Sequence, residues 1–240
     1  KVLKIPIKIK KNKNFDFIEI KGGTEFKSFD YKIPGDISSA SFLIVLTLLS
    51  KNSNLLIKET NVNPTRIGII TILNTMGAKI KLKNKKIYKG EKIADIYIES
   101  VKNLKAIKLN PNFNSSAIDE FLLIFLVAAV SKGVSTFTNL GELNKKESKR
   151  LDWGFKILKL LGVKTKKINN HGIKIWGNPN LDLKKNNIIN NYLKDHRIFM
   201  VCTIAALTLG GKWKIHDRDS IKTSFPSFLH IIKKLGGSIN

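Results

Sequence analysis

The sequence predicts an α/β fold made of three copies of one βαβα-type unit, with apolar helices buried inside and sheets around them. Three observations carry that expectation. Residues 40–49, 118–130 and 198–209 are apolar on nearly every side, and a helix without a polar face must be buried in protein. An acidic residue opens each run: Asp36, Asp119 or Asp195. Carboxylates suit a helix start, where backbone N–H groups are unpaired and the dipole is positive. A short strand, a second helix and a glycine then follow each time. The spacings from Asp36 to Gly77, Asp119 to Gly162 and Asp195 to Gly236 are 41, 43 and 41 residues. Self-similarity at a fixed period marks a repeat architecture.

The elements follow in order. Residues 2–9, 15–21 and 26–33 read as strands, with a turn at Gly22-Gly23. Pro34-Gly35 breaks that pattern, and Asp36-Ile37-Ser38-Ser39 supplies cap chemistry for the helix over 40–49. A strand at 55–58, a helix over 64–76 closed by Gly77, and a strand at 78–82 complete the first unit. The second unit runs from Asp119 through a strand at 134–138 to a helix over 147–161. The third runs from Asp195 through a strand at 213–215 to a segment, 223–235, that ends at Gly236. With all three acid-bearing helix starts at one end, that end gathers positive helix termini and suits anions.

Composition narrows the function classes. A chain of 240 residues that is 42% hydrophobic can bury one large core or two small ones. It opens at Lys1 and alternates like a strand from the start, so a piece of a longer protein is expected. The charged opening has no secretory core segment, and the longest apolar runs are too short to span a bilayer. The single cysteine, Cys202, lies in an apolar run; it reads as a buried thiol in a cytoplasmic, reducing compartment. The four histidines are scattered, so no metal site is expected. A net charge of +25 invites a nucleic-acid reading. Yet only Arg66, Arg150, Arg197 and Arg218 are arginines among 43 basic residues. The lysines are strewn among asparagines, as an AT-rich genome would produce, without aromatic platforms or a recognisable module. Nucleic acid is therefore not the expected partner.

The chemistry concentrates between residues 118 and 150. Asp119 and Glu120 open the apolar helix, and Lys145-Lys146-Glu147-Ser148-Lys149-Arg150 forms a charged knot before the next one. Two acids, a lysine and an arginine meeting at helix ends could handle an anionic substrate. The same residues also fit an N-cap followed by a solvated loop.

Six motifs decide further. Asp36-Ile37-Ser38-Ser39-Ala40, Asn63-Pro64-Thr65-Arg66, Ile118-Asp119-Glu120, Lys146-Glu147-Ser148-Lys149-Arg150, Asp195-His196-Arg197 and Thr223-Ser224-Phe225-Pro226 occur in that order. Together they resemble the 5-enolpyruvylshikimate-3-phosphate (EPSP) synthase family, the 3-phosphoshikimate 1-carboxyvinyltransferases. The resemblance implies an enolpyruvyl-transferase-like lobe of three βαβαββ pseudo-repeats over residues 36–240, with buried helices and outer sheets. Residues 1–35 would be the end of the preceding lobe. It also implies transfer of the enolpyruvyl group of phosphoenolpyruvate to the 5-hydroxyl of shikimate 3-phosphate. Those two small molecules are then the substrates. The missing N-terminal part of the same enzyme is a partner, the complete enzyme is a monomer, and no cofactor is required.

By the same likeness, Asp119 accepts a hydrogen bond and the proton from the 5-hydroxyl, and Glu147 protonates the methylene carbon. Lys146 contacts shikimate 3-phosphate, Arg150 and Arg197 grip phosphoenolpyruvate, and His196 sits near the reacting carbon. Asp36 and Asp195 read as helix caps, and Asn63-Pro64-Thr65-Arg66 as a helix start with Arg66 able to face the cleft. Lys145 and Lys149 read as solvated. The chain departs from the family at Thr223, where many members carry lysine, and Lys222 is adjacent but directed elsewhere. The family's other substrate motifs would lie upstream. The sister enzyme, UDP-N-acetylglucosamine enolpyruvyl transferase, shares fold and donor, but Lys146, Glu147 and Arg150 with Asp195-His196-Arg197 favour the shikimate enzyme. A non-catalytic basic binding module would instead lose function steeply with salt and tolerate loss of Asp119 or Glu147.

Overall fold

A computed structural model of the chain describes residues 5–23, 25 and 27–239. It opens with an antiparallel hairpin, β1 (Ile7–Lys11) and β2 (Asp16–Ile20), in register from Ile7 opposite Ile20 to Lys11 opposite Asp16. Residues 2–4 and Phe26 of the expected strands lie outside the described residues. Residues 27–33 are not the third strand that alternation predicts. Side chains hold them instead. Tyr31 packs on Tyr88 with ring centroids 5.4 Å apart, Lys32 Nζ lies 2.5 Å from Glu59 Oε2, and Lys32 N donates to the Tyr88 hydroxyl at 3.2 Å.

The first unit comprises α1 (Ile37–Leu49), β3 (Asn54–Asn61), α2 (Gly68–Thr75), β4 (Lys81–Tyr88) and β5 (Glu91–Glu99). Asp36 caps α1 by accepting from Ser39 N at 2.8 Å, as its position predicts. α2 starts at Gly68 rather than Pro64, because Asn63 folds the intervening residues into a turn. Its side chain accepts from Thr65 N at 3.2 Å and its carbonyl from Arg66 N at 2.8 Å. The strands form an antiparallel sheet of order β3-β5-β4.

The second unit repeats this plan. Short 3₁₀ turns at Pro111–Phe113 and Ser115–Glu120 lead into α3 (Phe121–Ala129), β6 (Gly133–Phe137), a turn at Gly141–Lys145, α4 (Arg150–Leu160), β7 (Thr165–Ile168) and β8 (Gly172–Gly177). The sheet order is β6-β8-β7, again antiparallel. α4 begins at Arg150, three residues later than expected. Its first N–H groups are capped from a distance: Asn144 Oδ1 accepts from Leu151 N at 2.9 Å and from Asp152 N at 3.3 Å. The third unit is β9 (Leu183–Ile189), α5 (His196–Leu209), β10 (Gly210–Ile215) and α6 (Phe228–Lys234), the last preceded by a turn at Arg218–Thr223.

One hydrogen-bonding device recurs in all three. The segment before each buried helix pairs in parallel with the strand after it. In the third unit this is β9 with β10; in the second, Lys105 bridges Lys132 and Lys108 bridges Thr136; in the first, Gly35 bridges Thr60. Strands β7 and β9 are hidden from apolar patterning because lysine and asparagine fill them, whereas β5 and β8 do alternate, at Ile96 and Ile98 and at Ile173 and Ile175, and are strands that the sequence reading omits.

α1, α3 and α5 pack on one another as the centre of the molecule. Every residue of α3 is buried, and each buried Leu, Ile or Phe contributes about 1.5–3 kcal/mol of transfer free energy. Leu49, Val130 and Leu209, at the C-terminal ends of the three helices, line one hollow of about 580 Å³. Where β8 ends, Gly177 laps the end of α3. A Cβ there would lie 2.0 Å from Ser131 O and 2.4 Å from Ala128 O, while Asn178 N donates to Ala129 O at 2.8 Å and satisfies a terminal helix carbonyl.

Candidate active site

The N-terminal ends of the buried helices meet at the opposite pole, and there the charged residues converge. Asp119 and Glu120 are not the helix cap that the sequence suggests. They lie in the 3₁₀ turn, and Glu120, at the cap position of α3, makes no capping bond. Their carboxylates reach across to other units instead.

Arg150, only 1% exposed, is the hub. Its Nε donates to Asp195 Oδ2 at 2.8 Å, Nη2 to Asp195 Oδ1 at 3.3 Å, and Nη1 to Asp119 Oδ1 at 3.2 Å. Nη2 also pairs with Glu147. Asp195 caps α5 by accepting from Arg197 N at 2.9 Å and takes a further bond from Ser148 Oγ at 2.8 Å. Asp119, 29% exposed, lies 3.2 Å from Lys146 Nζ, and its Oδ2 is 3.7 Å from Arg197 Nη2. Arg197 Nη1 donates to the Asp119 carbonyl at 3.0 Å and is 3.6 Å from Glu120 Oε1. The first unit joins through Ser38, whose Oγ donates to Glu120 Oε1 at 2.6 Å. Arg66 Nη2 donates to Ser38 Oγ at 3.3 Å and sits 3.6 Å from Asp36 Oδ1. One polar network therefore links all three helix starts, as the repeat count requires.

The cations decide the protonation states. Burial works to raise the Asp119 pKa, but Arg197, Lys146 and Arg150 outweigh it and hold the carboxyl below its ordinary value. Asp195 is lowered in the same way, with Arg150 and Ser148 overcoming burial. Burial, then Arg197, pushes the half-buried His196 down, so its imidazole is neutral near pH 7. Burial pushes Glu120 up, against the pull of Ser38 and Arg197. The site thus presents an ionised Asp119, a neutral imidazole and an exposed Glu147 (55%) beside Lys146, Arg150 and Arg197. A groove of about 710 Å³ opens next to them, lined by Asn114, Ile118, Asn139, Glu142 and Lys146 among others. Beside this groove rather than in its lining, the guanidinium forks of Arg150 and Arg197 at the buried-helix starts suit carboxylate or phosphate oxygens.

All six residues that the sequence singled out, Asp119, Lys146, Glu147, Arg150, His196 and Arg197, come together here. Arg66 joins them, whereas Lys145 pairs with Glu142 at the surface and Lys149 is exposed. Lys222 pairs with Asp219 at 2.8 Å, and the Thr223 hydroxyl donates within its own turn to Ser220 O. Sequence reasoning missed Ser38 and Ser148 as members of the network, and it gave Glu120, one of the two acids opening the run, no role of its own. Their only signal was a polar residue at the mouth of an apolar run or inside the charged knot. Among the described residues no group of three or more His, Cys, Asp and Glu could hold a metal ion, and no helix is long and apolar enough to cross a membrane.

A sequence profile of the EPSP synthase family (3-phosphoshikimate 1-carboxyvinyltransferase) matches residues 2–232. The chain is 39% identical over 233 residues to the 3-phosphoshikimate 1-carboxyvinyltransferase of Ruthia magnifica subsp. Calyptogena magnifica, covering 97% of this chain and 52% of that protein. It superposes on EPSP synthase from Acinetobacter baumannii with a TM-score of 0.84 at 31% identity, over 97% of this chain and 52% of that one. The enolpyruvyl transferase NikO from Streptomyces tendae, at 14% identity, shares the fold with a TM-score of 0.70 over 98% of this chain and 51% of its own. The chain spans about half the length of the curated relatives it matches. With a profile match running almost end to end and three units that superpose on a solved relative, the chain belongs to the EPSP synthase family.

Proposed function

We propose that this chain supplies one lobe and half the cleft of a cytoplasmic enzyme that transfers the enolpyruvyl group of phosphoenolpyruvate to the 5-hydroxyl of shikimate 3-phosphate. In this reading residues 36–240 are the lobe, and residues 1–35 belong to a preceding lobe that completes a monomeric enzyme. The observation that carries it is the convergence of Asp119, Lys146, Glu147, Arg150, His196 and Arg197 on one pole, in a chain of this family.

Asp119, kept ionised by its cations, accepts the proton of the 5-hydroxyl as that oxygen bonds to C2 of phosphoenolpyruvate. Glu147 gives a proton to C3, which completes a tetrahedral adduct. In the second half C3 returns a proton to Glu147, the C2–O bond to phosphate breaks as the leaving phosphate takes up the proton held by Asp119, and the enol ether forms. Two carboxylates serving opposite ends of one addition must differ in protonation state. Here Asp119 is the carboxylate that cations keep ionised. Lys146 holds shikimate 3-phosphate, and Arg197 and Arg150 hold the carboxylate and phosphate of phosphoenolpyruvate. The buried Arg150 meets the exposed Glu147 through Nη2, so an incoming anion that displaces Glu147 from that nitrogen frees its carboxyl for proton transfer. His196 stays neutral and donates or accepts a hydrogen bond near the reacting carbon.

The test is turnover by the chain completed with the segment that its relatives carry beyond the match. Asp119→Asn and Glu147→Gln should each lower kcat by about 10²–10⁴-fold, the usual contribution of a general acid or base. The 240 residues alone should show no turnover, because positioning by both halves of the cleft supplies much of the rate. Near-full kcat in both variants refutes the assignment.

A further inference from the structure

Glu120 is a buried carboxylate to which neither capping nor the proposed reaction gives a task. Burying an ionisable group is costly unless it is paired, and its partners come from two other units. From α1, Ser38 Oγ donates to Oε1 at 2.6 Å; from α5, Arg197 Nη1 stands 3.6 Å from the same oxygen. Arg66 steadies the arrangement through Ser38 at 3.3 Å. The other charged groups acting on Glu120 are Asp119, its neighbour in the turn, and Arg66.

We infer that Glu120, seated by Ser38, is a positioning residue that fixes the Arg197 guanidinium for phosphoenolpyruvate. This rests on the function proposed above and extends it to the first unit, which holds no reacting group. Arg197 has two counterions with different duties. Asp119 is partly exposed and becomes protonated in each turnover, so its grip on Arg197 weakens when the adduct forms. Glu120 is buried, takes no proton from substrate, and balances the guanidinium throughout. The 3.0 Å bond from Nη1 to the Asp119 carbonyl sets the fork on the same edge. Nη2 is 3.7 Å from Asp119 Oδ2, and the Nε side of the fork, without a hydrogen bond or ion pair among the described residues, is left for the substrate anion.

Two readouts test this. In the 240-residue chain, nitrogen-15 NMR of the arginine side chains should show slowed guanidinium rotation for Arg197. Glu120→Gln should release it, while the Arg150 signals stay as they were. In the completed enzyme, Glu120→Gln should raise the KM for phosphoenolpyruvate about tenfold and leave that for shikimate 3-phosphate within about twofold of the parent. Glu120→Asp should recover part of the loss. Ser38→Ala, a milder change, should give a smaller rise of the same selectivity even if Glu120→Gln fails to fold. Unchanged Arg197 rotation in Glu120→Gln, or equal rises in both KM values, overturns the inference. Absence of turnover in the completed parent enzyme refutes the proposed function instead, and the NMR result then decides the link between Glu120 and Arg197.

Discussion

Replacing Arg150 with methionine should cost about 3–4 kcal/mol of folding stability, most of it through Asp195. Methionine fills the space of the stem and removes the guanidinium. Three carboxylates then lose a partner, but unequally. The Asp195 side chain is 0% exposed and loses the contacts at 2.8 and 3.3 Å, keeping Ser148 Oγ and Arg197 N. Breaking a buried pair costs about 3–5 kcal/mol, and the two surviving bonds put this case at the low end. Asp119 keeps Lys146 and Arg197, and Glu147 regains water, so together they add only about 0–1 kcal/mol. For a chain of this size, Tm should fall by about 6–16 °C. Urea denaturation and calorimetry of Arg150→Met, Asp195→Asn and the double variant give the assay. Asp195→Asn should destabilise the parent but be neutral or stabilising once Arg150 is gone, because it removes the orphaned charge. Acid titration supplies a second check. The depressed native pKa of Asp195 means its contribution is complete above the ordinary carboxylate value and is lost as pH falls below it. In Arg150→Met that loss should shrink. A destabilisation below about 1 kcal/mol, or strict additivity in the double variant, would refute the view of Arg150 as the hub.

Arg197→Lys in the completed enzyme should weaken phosphoenolpyruvate binding and leave shikimate 3-phosphate binding nearly unchanged, since it keeps charge but loses the planar fork; steady-state kinetics on both substrates distinguishes the two. His196 is lowered by burial and by Arg197, so the unfolded chain binds its proton first as pH drops below about 6.5. Stability should therefore decline as pH falls below that value, and His196→Gln should flatten this part of the curve in urea titrations. Gly177→Ala should cost about 3 kcal/mol, because the new Cβ meets two backbone oxygens that cannot move independently of α3; an unchanged urea midpoint would contradict that packing.

The parts legible in the sequence were those with a strong one-dimensional signal. All three buried helices were readable from apolar runs, and their common pole from the acids that open them. The Asp36 and Asp195 caps were readable from local chemistry alone. The sheets were less so. β4 and β9 are rich in lysine and asparagine, so alternation marked β4 only at its first two residues, within an expected strand at 78–82, and did not mark β9. The stretch 27–33 alternated like a strand yet has side-chain partners, Tyr88 and Glu59, in place of a neighbouring strand. Helix starts erred for a related reason. Asn144 caps α4 from six residues before Arg150, and no local motif announces that. At the candidate site the charged types were readable, but Ser38 beside Glu120 depends on a contact across 82 residues.

The same sequence feature, an acid at the start of a buried helix, has two structural outcomes, and the difference explains where the chemistry gathers. In the first and third units Asp36 and Asp195 turn back to the N–H groups of their own helices. In the second unit the chain enters α3 through a 3₁₀ turn, and neither acid caps it. Asp119 is thereby free to meet Lys146, Arg150 and Arg197, and Glu120 to meet Ser38 and Arg197. A capping carboxylate is committed to backbone donors and cannot take a proton without loosening its helix. Asp119 carries no such commitment. Its proton affinity is set by side chains that a bound anion can rearrange, as the base role proposed for it requires. The helices on either side, held by their own caps, keep Arg197 and the first unit in place while it does so.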